Sequence, residues 1–87
     1  MNSQTTPEFR KRLRALPPQI RKKAFQTYKV WKKNPSHPSL HFKRVNDSRP
    51  LYSVRITLNW RVLGVLRDDT MVWFWIGDYK EYDRLIG

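Results

Sequence analysis

Six polar and aromatic side chains in this sequence are of types that could hold and cleave a phosphodiester. They are two arginines, two tyrosines, one histidine and one lysine: Arg55, Arg61, Tyr79, Tyr82, His41 and Lys43. An RNA chain carries its own nucleophile, the 2′-hydroxyl. A protein therefore only has to remove that proton, stabilise the crowded phosphate and protonate the leaving oxygen. Guanidinium, ammonium, imidazole and phenol groups can share these tasks without a metal ion, so RNA cleavage is one of several functions compatible with the composition.

The register of two neighbouring strands decides whether the two arginines can cooperate. Leu58-Asn59 has the form of a tight turn between two strands. In the regular register of such a hairpin, Arg55 lies opposite Val62, and Arg61 points to the other face of the sheet. A bulge of one residue would place both arginines on one surface. The structural alternative for Arg61 is an arginine stacked on an aromatic ring at the sheet edge, and the functional one is a guanidinium that binds a phosphate.

Several other kinds of site are excluded or disfavoured. The sequence has no cysteine, which excludes disulfides, thiolate zinc sites and cysteine nucleophiles. His37 and His41 are four residues apart, but Pro38 lies between them and prevents the helical geometry of a metal site. The acids between residues 78 and 83 fit a helix start and a solvent charge better than a magnesium site. There is no glycine-rich phosphate loop, and we expect no cofactor.

Positive charge is concentrated in the first part of the chain. The net charge is +11, and residues 1–50 hold thirteen Lys and Arg against two acids. A charge of this size opposes folding unless a partner or salt screens it. We therefore expect contact with nucleic acid or the ribosome first, and with an acidic protein next. Five lysines of the second predicted helix are the expected electrostatic anchors: Lys22, Lys23, Lys29, Lys32 and Lys33.

Two basic amphipathic helices are predicted near the N-terminus. Thr6-Pro7 is typical of a helix start, and Phe9, Leu13 and Leu16 follow on one face. Pro17-Pro18 ends this helix and begins the next. The second helix carries an apolar stripe with a phenylalanine beside it: Ile20, Ala24, Tyr28, Trp31 and Phe25.

From residue 40 onwards the sequence predicts strands. Apolar and polar residues alternate over 40–43 and 52–57, and residues 60–66 return as a partner strand after the turn. Residues 71–76 are apolar throughout, as in a strand buried on both faces. One more helical turn or two follow, with Tyr82, Leu85 and Ile86 facing inward. We predict one domain over residues 1–87 with an α+β fold. Its two N-terminal helices cover one face of a three- to four-stranded antiparallel sheet, and the other face is open.

Three segments in order resemble the RelE/ParE superfamily of bacterial toxins from type II toxin–antitoxin systems. They are NPSHPSLHFKRV, YSVRI followed by NWRVLG, and WIGDYKEYDRLI, and the similarity extends over about residues 6 to 86. The resemblance implies two helices packed on an antiparallel sheet. It also implies an endoribonuclease that cuts mRNA on the ribosome and is held inactive by an antitoxin. Another branch of the superfamily poisons DNA gyrase, so membership leaves the target open.

The resemblance also implies roles for individual residues. Arg61 matches the arginine assigned to stabilising the scissile phosphate, and Arg55 matches a basic position on the preceding strand. Lys43 falls where relatives often carry a basic residue, and Tyr82 is near an aromatic that closes the site. Relatives carry His or Arg where this chain has Tyr79, and tyrosine is a poor base at neutral pH. Tyr79 therefore indicates a tyrosine-based variant, an attenuated toxin or an inactive one.

Two other functions remain open from the sequence. One is a binding module without nuclease activity, either directed at gyrase or acting mainly on its antitoxin. The other is a small basic nucleic-acid-binding protein that is not toxic. No apolar run approaches the ~18 residues of a membrane span, and Met1 to Thr6 lack a signal-peptide core, so we expect a cytoplasmic protein without membrane contact.

Overall fold

The chain folds into three helices and one five-stranded mixed sheet. The computed structural model describes residues 1–87. In chain order the elements are β1 Asn2–Thr5, α1 Pro7–Arg14, α2 Pro18–Lys33, a single 3-10 turn at Pro38–Leu40, β2 Lys43–Arg44, β3 Leu51–Thr57, β4 Trp60–Arg67, β5 Thr70–Asp78 and α3 Tyr79–Ile86. The strand order is β1-β5-β4-β3-β2, and all neighbours are antiparallel except β1, which runs parallel to β5. The predicted α+β class is confirmed.

The two N-terminal helices begin where the sequence predicts. The Thr6 hydroxyl accepts a hydrogen bond from the backbone N–H of Phe9 at 3.1 Å, and proline at the first helical position needs no such partner. Pro17 separates α1 from α2 because a proline cannot continue the helical hydrogen bonds. Both helices pack on one face of the sheet, which we call the helix face. Its core consists of Phe9, Trp31, Leu40, Val54, Val62, Met71, Trp73 and Ile76.

The strand count differs from the predicted three or four because the polar N-terminus forms β1. Backbone hydrogen bonds join Asn2 N to Asp69 O and Thr6 N to Trp73 O, each at 3.0 Å. The Ser3 and Tyr28 hydroxyls lie 2.8 Å apart, and Lys32 Nζ donates to Met1 O at 2.8 Å. Backbone hydrogen bonds and polar contacts with α2 therefore hold this strand. Because it buries no apolar face, its sequence lacks the alternation that would have predicted it.

Other local expectations are also corrected. β2 is shorter than predicted because the chain forms the 3-10 turn before it. On α2, Trp31 is buried, whereas Phe25 and Tyr28 are 57% and 41% exposed. β5 is not buried on both faces throughout, since Val72 and Phe74 are only half-buried.

The sheet face opposite the helices is partly covered rather than open. Tyr82 of α3 is buried there against Leu63 and Trp75, and Ile86 packs beside them. Leu85 does not face inward as predicted, because it is 55% exposed. This second cluster exists because Phe74 is an extra residue in β5: Gly64 pairs with Trp73 while Leu63 pairs with Trp75. The bulge places Trp73 on the helix face and Trp75 on the opposite face.

We predict that Gly64→Ala destabilises the fold. A Cβ at position 64 would lie 2.6 Å from a ring carbon of Trp73 and 2.9 Å from the sulfur of Met71. Since both side chains are buried, the free energy of unfolding should fall by about 1–3 kcal/mol in a urea titration followed by tryptophan fluorescence. The exposed control Gln26→Ala on α2 should change it by less than about 0.5 kcal/mol. Equal stability of the two variants would contradict this close approach.

Candidate functional site

Arg55 and Arg61 lie directly opposite each other on β3 and β4. Thr57 pairs with Trp60, as expected for a two-residue turn, but the next pair is Arg55 with Arg61 because Ile56 is an extra residue in β3. The sequence left two registers open, and the structure has the bulged one. Directly opposed residues share a sheet face, so both side chains lie on the face away from α1 and α2. We call this the arginine face.

The Arg61 side chain is held by the turn that precedes it and by two aromatic rings. Its Nη1 donates hydrogen bonds to the carbonyl oxygens of Thr57, Leu58 and Trp60 at 2.6, 3.1 and 3.2 Å. The guanidinium carbon lies 4.9 Å from the ring centre of Tyr79 and 5.9 Å from that of Tyr82.

Two nitrogens of Arg61 remain available to a ligand. All three bonds of the side chain use Nη1 and none uses Nε or Nη2. Nε and Nη2 form one edge of the planar guanidinium, and such an edge can bind two phosphate oxygens at once. The structure thus orients Arg61 while leaving this edge unbonded.

The electrostatics of the arginine face favour an anion. Burial, and next the positive charge of Arg55, lower the pKa of the Arg61 guanidinium, while Tyr82 and Tyr79 partly oppose this shift. Arg61 stays charged at neutral pH, because arginine titrates far above it. The two cations therefore lie close together at an energetic cost that a bound anion would offset.

The two tyrosines of α3 differ in their freedom. Tyr82 is 3% exposed, and its hydroxyl donates to the Oγ of buried Ser53 at 3.0 Å. Tyr79 is 43% exposed, its ring lies 5.7 Å from that of Tyr82, and its backbone N–H donates to Asn59 O at 2.8 Å. No protein group bonds the Tyr79 hydroxyl. Tyr82 is therefore a buried support for the site, and Tyr79 is the tyrosine that can reach a ligand.

His41 and Lys43 join the same face. Arg55 Nη1 donates to His41 Nε2 at 3.2 Å, which requires that this ring nitrogen carry no proton. His41 ends the 3-10 turn in a left-handed conformation, with φ of 45°, which directs the chain into β2. Lys43 pairs with Ser53, so its exposed side chain shares the face of Ser53 and Arg55.

The five lysines of α2 are not part of this cluster. They are exposed, and α2 packs on the helix face of the sheet: Lys22, Lys23, Lys29, Lys32 and Lys33. Lys32 is also occupied by its bond to Met1 O. The sequence-predicted site residues therefore divide into two groups on opposite sides of the sheet.

The acids near the C-terminus have structural contacts. Asp78 caps α3 by accepting a hydrogen bond from Glu81 N at 2.9 Å, and Glu81 lies 3.5 Å from Arg12. No group of three or more His, Asp or Glu side chains has the arrangement of a metal site. None of the helices is both long and apolar enough to cross a membrane.

Sequence reasoning missed two residues next to the site. Ser53 is a buried serine whose only side-chain hydrogen bond is the one from Tyr82. Arg12 extends from α1 to Trp75 and Glu81, on the opposite side of the sheet from its own helix. The spacing of basic residues on α1 does not distinguish Arg12 from its neighbours, and Ser53 belongs to the alternating polar positions of β3, so no signal in the sequence marked it as buried.

Comparison with known proteins identifies the family. Residues 18–84 match the family model of the ParE-like toxin domain, which is more than half of the chain. The chain belongs to the ParE-like toxin family. Among curated protein sequences, none matches this toxin significantly.

Solved structures support the same fold for this ParE-like toxin. A chain of the RelB–RelE antitoxin–toxin complex from Methanococcus jannaschii has 19% identity and a TM-score of 0.74, over 95% of this chain and 98% of that chain. YafQ from E. coli has 14% identity and a TM-score of 0.72, over 93% and 96%. The YoeB/ParE toxin from Agrobacterium tumefaciens has 12% identity and a TM-score of 0.71, over 91% and 99%.

We predict that Arg55→Gln stabilises this toxin at low salt. Like charges directly opposite on a sheet are destabilising, so removing one should raise the free energy of unfolding by about 0.5 kcal/mol. The gain should largely disappear in about 1 M NaCl, where charges are screened within about 3 Å. Lys29→Gln, on the exposed side of α2, removes the same net charge, and its free energy of unfolding should rise by less. A gain as large for Lys29→Gln would show that overall charge, and not the arginine pair, is responsible.

Proposed function

We propose that this ParE-like toxin belongs to a type II toxin–antitoxin system and inhibits translation as a ribosome-dependent endoribonuclease that cuts mRNA. The observation that supports this most directly is the pairing of Arg55 with Arg61 on one sheet face. Beside them, the exposed Tyr79 and the unbonded edge of Arg61 offer a proton donor and a phosphate-binding group.

The reaction would use the RNA's own 2′-hydroxyl. Its oxygen attacks the adjacent phosphorus, the bond to the 5′-oxygen breaks, and a 2′,3′-cyclic phosphate and a free 5′-hydroxyl are formed. The 2′ proton goes to a base, and the 5′-oxygen takes one from an acid. Arg61 and Arg55 would offset the negative charge that builds up on the non-bridging oxygens, so this mechanism requires no metal ion or cofactor.

The neighbouring side chains suit the two proton transfers. When Arg55 turns towards a phosphate, it releases Nε2 of His41, which can then accept the 2′ proton. Phenols keep their proton at neutral pH, so Tyr79 is suited to donate one to the leaving oxygen. Lys43 would hold the RNA backbone, and Tyr82 would position Tyr79 and Arg61 by stacking.

The proposed partners are an antitoxin, the ribosome and mRNA, which would place the protein in the cytoplasm. This chain is similar in structure to a chain of the RelB–RelE antitoxin–toxin complex from Methanococcus jannaschii and to one of the RelE–RelB complex from Pyrococcus horikoshii. The exposed lysines of α2 would bind ribosomal RNA phosphates or an acidic antitoxin, since they lie away from the arginine face.

The main alternative is a toxin that binds without cutting RNA. The family model is named for ParE, which favours a gyrase-directed toxin. Tyrosine at position 79 is a poor base at neutral pH, which favours a member that binds its antitoxin without cutting RNA. Intact mRNA together with trapped gyrase cleavage complexes would identify the gyrase-directed form.

We predict that Arg61→Ala lowers the rate of mRNA cleavage on translating ribosomes by about 10²–10³-fold, because it removes preorganised charge stabilisation. Primer extension on a translated message measures the cuts. Arg61→Lys should restore little, since a lysine keeps the charge but not the planar edge. Arg67→Ala is the matched control, six residues further along β4 and about 20 Å away. Unchanged cleavage by folded Arg61→Ala would contradict the proposal.

We predict opposite effects for two substitutions of Tyr79. Tyr79→His places an imidazole beside Arg61, and at neutral pH it should raise the cleavage rate about tenfold or more, since imidazole exchanges protons readily there. Tyr79→Phe keeps the ring on Arg61 but removes the hydroxyl, so cleavage should fall by about tenfold or more. Equal rates for Tyr79→Phe and the unmodified protein would show that the hydroxyl donates no proton.

A further inference from the structure

α3 carries Tyr79 and Tyr82, yet few contacts hold it. It has eight residues, and helices shorter than about 12 residues are marginal in water without tertiary contacts. Tyr82 is its one buried side chain, Ile86 is half-buried, and Leu85 is exposed. The position of both tyrosines relative to Arg61 therefore depends on a small number of attachments.

Arg12 supplies one of these attachments from the other layer of the molecule. Its Nε donates to Ile76 O at 2.9 Å, its guanidinium carbon lies 5.1 Å from the ring centre of Trp75, and its Nη2 lies 3.5 Å from Glu81 Oε2 on α3. The three contacts join α1, β5 and α3. They restrict the guanidinium in position and in plane, because hydrogen bonding and ring stacking both depend on orientation.

The edge of β5 leaves room for the Arg12 side chain. β1 pairs with β5 only at residues 70–73, so the edge of β5 beyond Trp73 is uncovered and Ile76 O can accept from Arg12. A Cβ at Gly77 would lie 2.5 Å from the Trp75 ring and 3.1 Å from Arg12 Nη2. Glycine at this position thus makes room for both the ring and the guanidinium.

We infer that Arg12 is a positioning residue that fixes α3 through Trp75 and Glu81, and thereby holds Tyr79 and Tyr82 against Arg61. The inference rests on the proposed nuclease function for its effect on catalysis, although its effect on α3 stands without it. The Glu81 ion pair alone contributes little, since Glu81 is 44% exposed and such pairs are worth at most about 1 kcal/mol. The stacking on Trp75 and the hydrogen bond to Ile76 O contribute more than the ion pair to holding Arg12 in place.

The competing role for Arg12 is a direct contact with RNA, because 29% of its side chain is exposed. The two roles differ in what a substitution changes. Loss of a phosphate contact weakens binding and lowers its salt dependence, but leaves α3 in place. Loss of a positioning contact loosens α3 and lowers turnover, while the binding surfaces remain.

The test compares Arg12→Gln, Arg12→Lys and Glu81→Gln with Lys11→Gln, an exposed neighbour on α1. Hydrogen exchange of the backbone amides is measured in the full-length protein. Exchange in α3 should accelerate about tenfold in Arg12→Gln, nearly as much in Arg12→Lys, and about two- to threefold in Glu81→Gln. Exchange in α2 should stay unchanged in all four variants, and Lys11→Gln should match the unmodified protein.

Cleavage of ribosome-bound mRNA provides the second readout. Arg12→Gln should lower kcat about tenfold and leave KM for ribosomes within about twofold, because the misplaced tyrosines affect the chemical step. Unchanged α3 exchange in folded Arg12→Gln, or a raised KM with a smaller salt dependence, would overturn the positioning role. If Arg12→Gln does not fold, Arg12→Lys decides by the same criteria.

The two proposals fail in different ways. An unmodified protein that cuts no mRNA would overturn the nuclease function, and the exchange comparison would still decide whether Arg12 fixes α3. Cleavage by the unmodified protein together with unchanged α3 exchange in the Arg12 variants would retain the nuclease and reject the positioning role.

Discussion

The repulsion between Arg55 and Arg61 is the constraint on which the candidate site depends. A regular hairpin would have separated the two guanidinium groups onto opposite faces, whereas the extra residue Ile56 opposes them directly. The structure tolerates this by spreading the charge of Arg61 over three carbonyl oxygens and two tyrosine rings. In the unliganded protein the Arg61 side chain is thus held by a set of weak polar contacts, and a bound phosphate would relieve the repulsion from Arg55 that remains.

The two bulges give the sheet two different faces. Ile56 in β3 brings the arginines together, and Phe74 in β5 moves Trp75 to their side while Trp73 stays in the helix core. Each bulge shifts by one residue the alternation of side chains between the two faces. A few strands can therefore supply both a hydrophobic core and a polar surface with aromatic side chains beside it. α3 adds to these aromatic side chains, because Tyr82 packs against Leu63 and Trp75 on the arginine face and its hydroxyl bonds the buried Ser53.

The sequence was informative where local chemistry determines structure and uninformative where geometry across the sheet does. The helix starts at Thr6-Pro7 and Pro17-Pro18 follow from capping and from the missing amide hydrogen of proline, and both were predictable. β1 was not, because residues 2–5 are held by backbone bonds and by polar contacts with α2, neither of which requires alternating apolar residues. The bulge at Ile56 could be named only as an alternative. The contacts of Arg12 depend on where β1 ends, which no spacing on α1 encodes.

The placement of charge separates affinity from chemistry in the proposed mechanism. All of the net positive charge lies in residues 1–50, and much of it is on α1 and α2, which cover the helix face. The arginine face holds few cations, but each is oriented by pairing or by hydrogen bonds. Long-range attraction to a polyanion depends on the number of charges, whereas stabilising a transition state depends on their orientation. Under the proposed function, a partner that neutralises α2 would weaken ribosome binding without occupying the arginine face, and inhibition and catalysis would then use different sides of one small sheet.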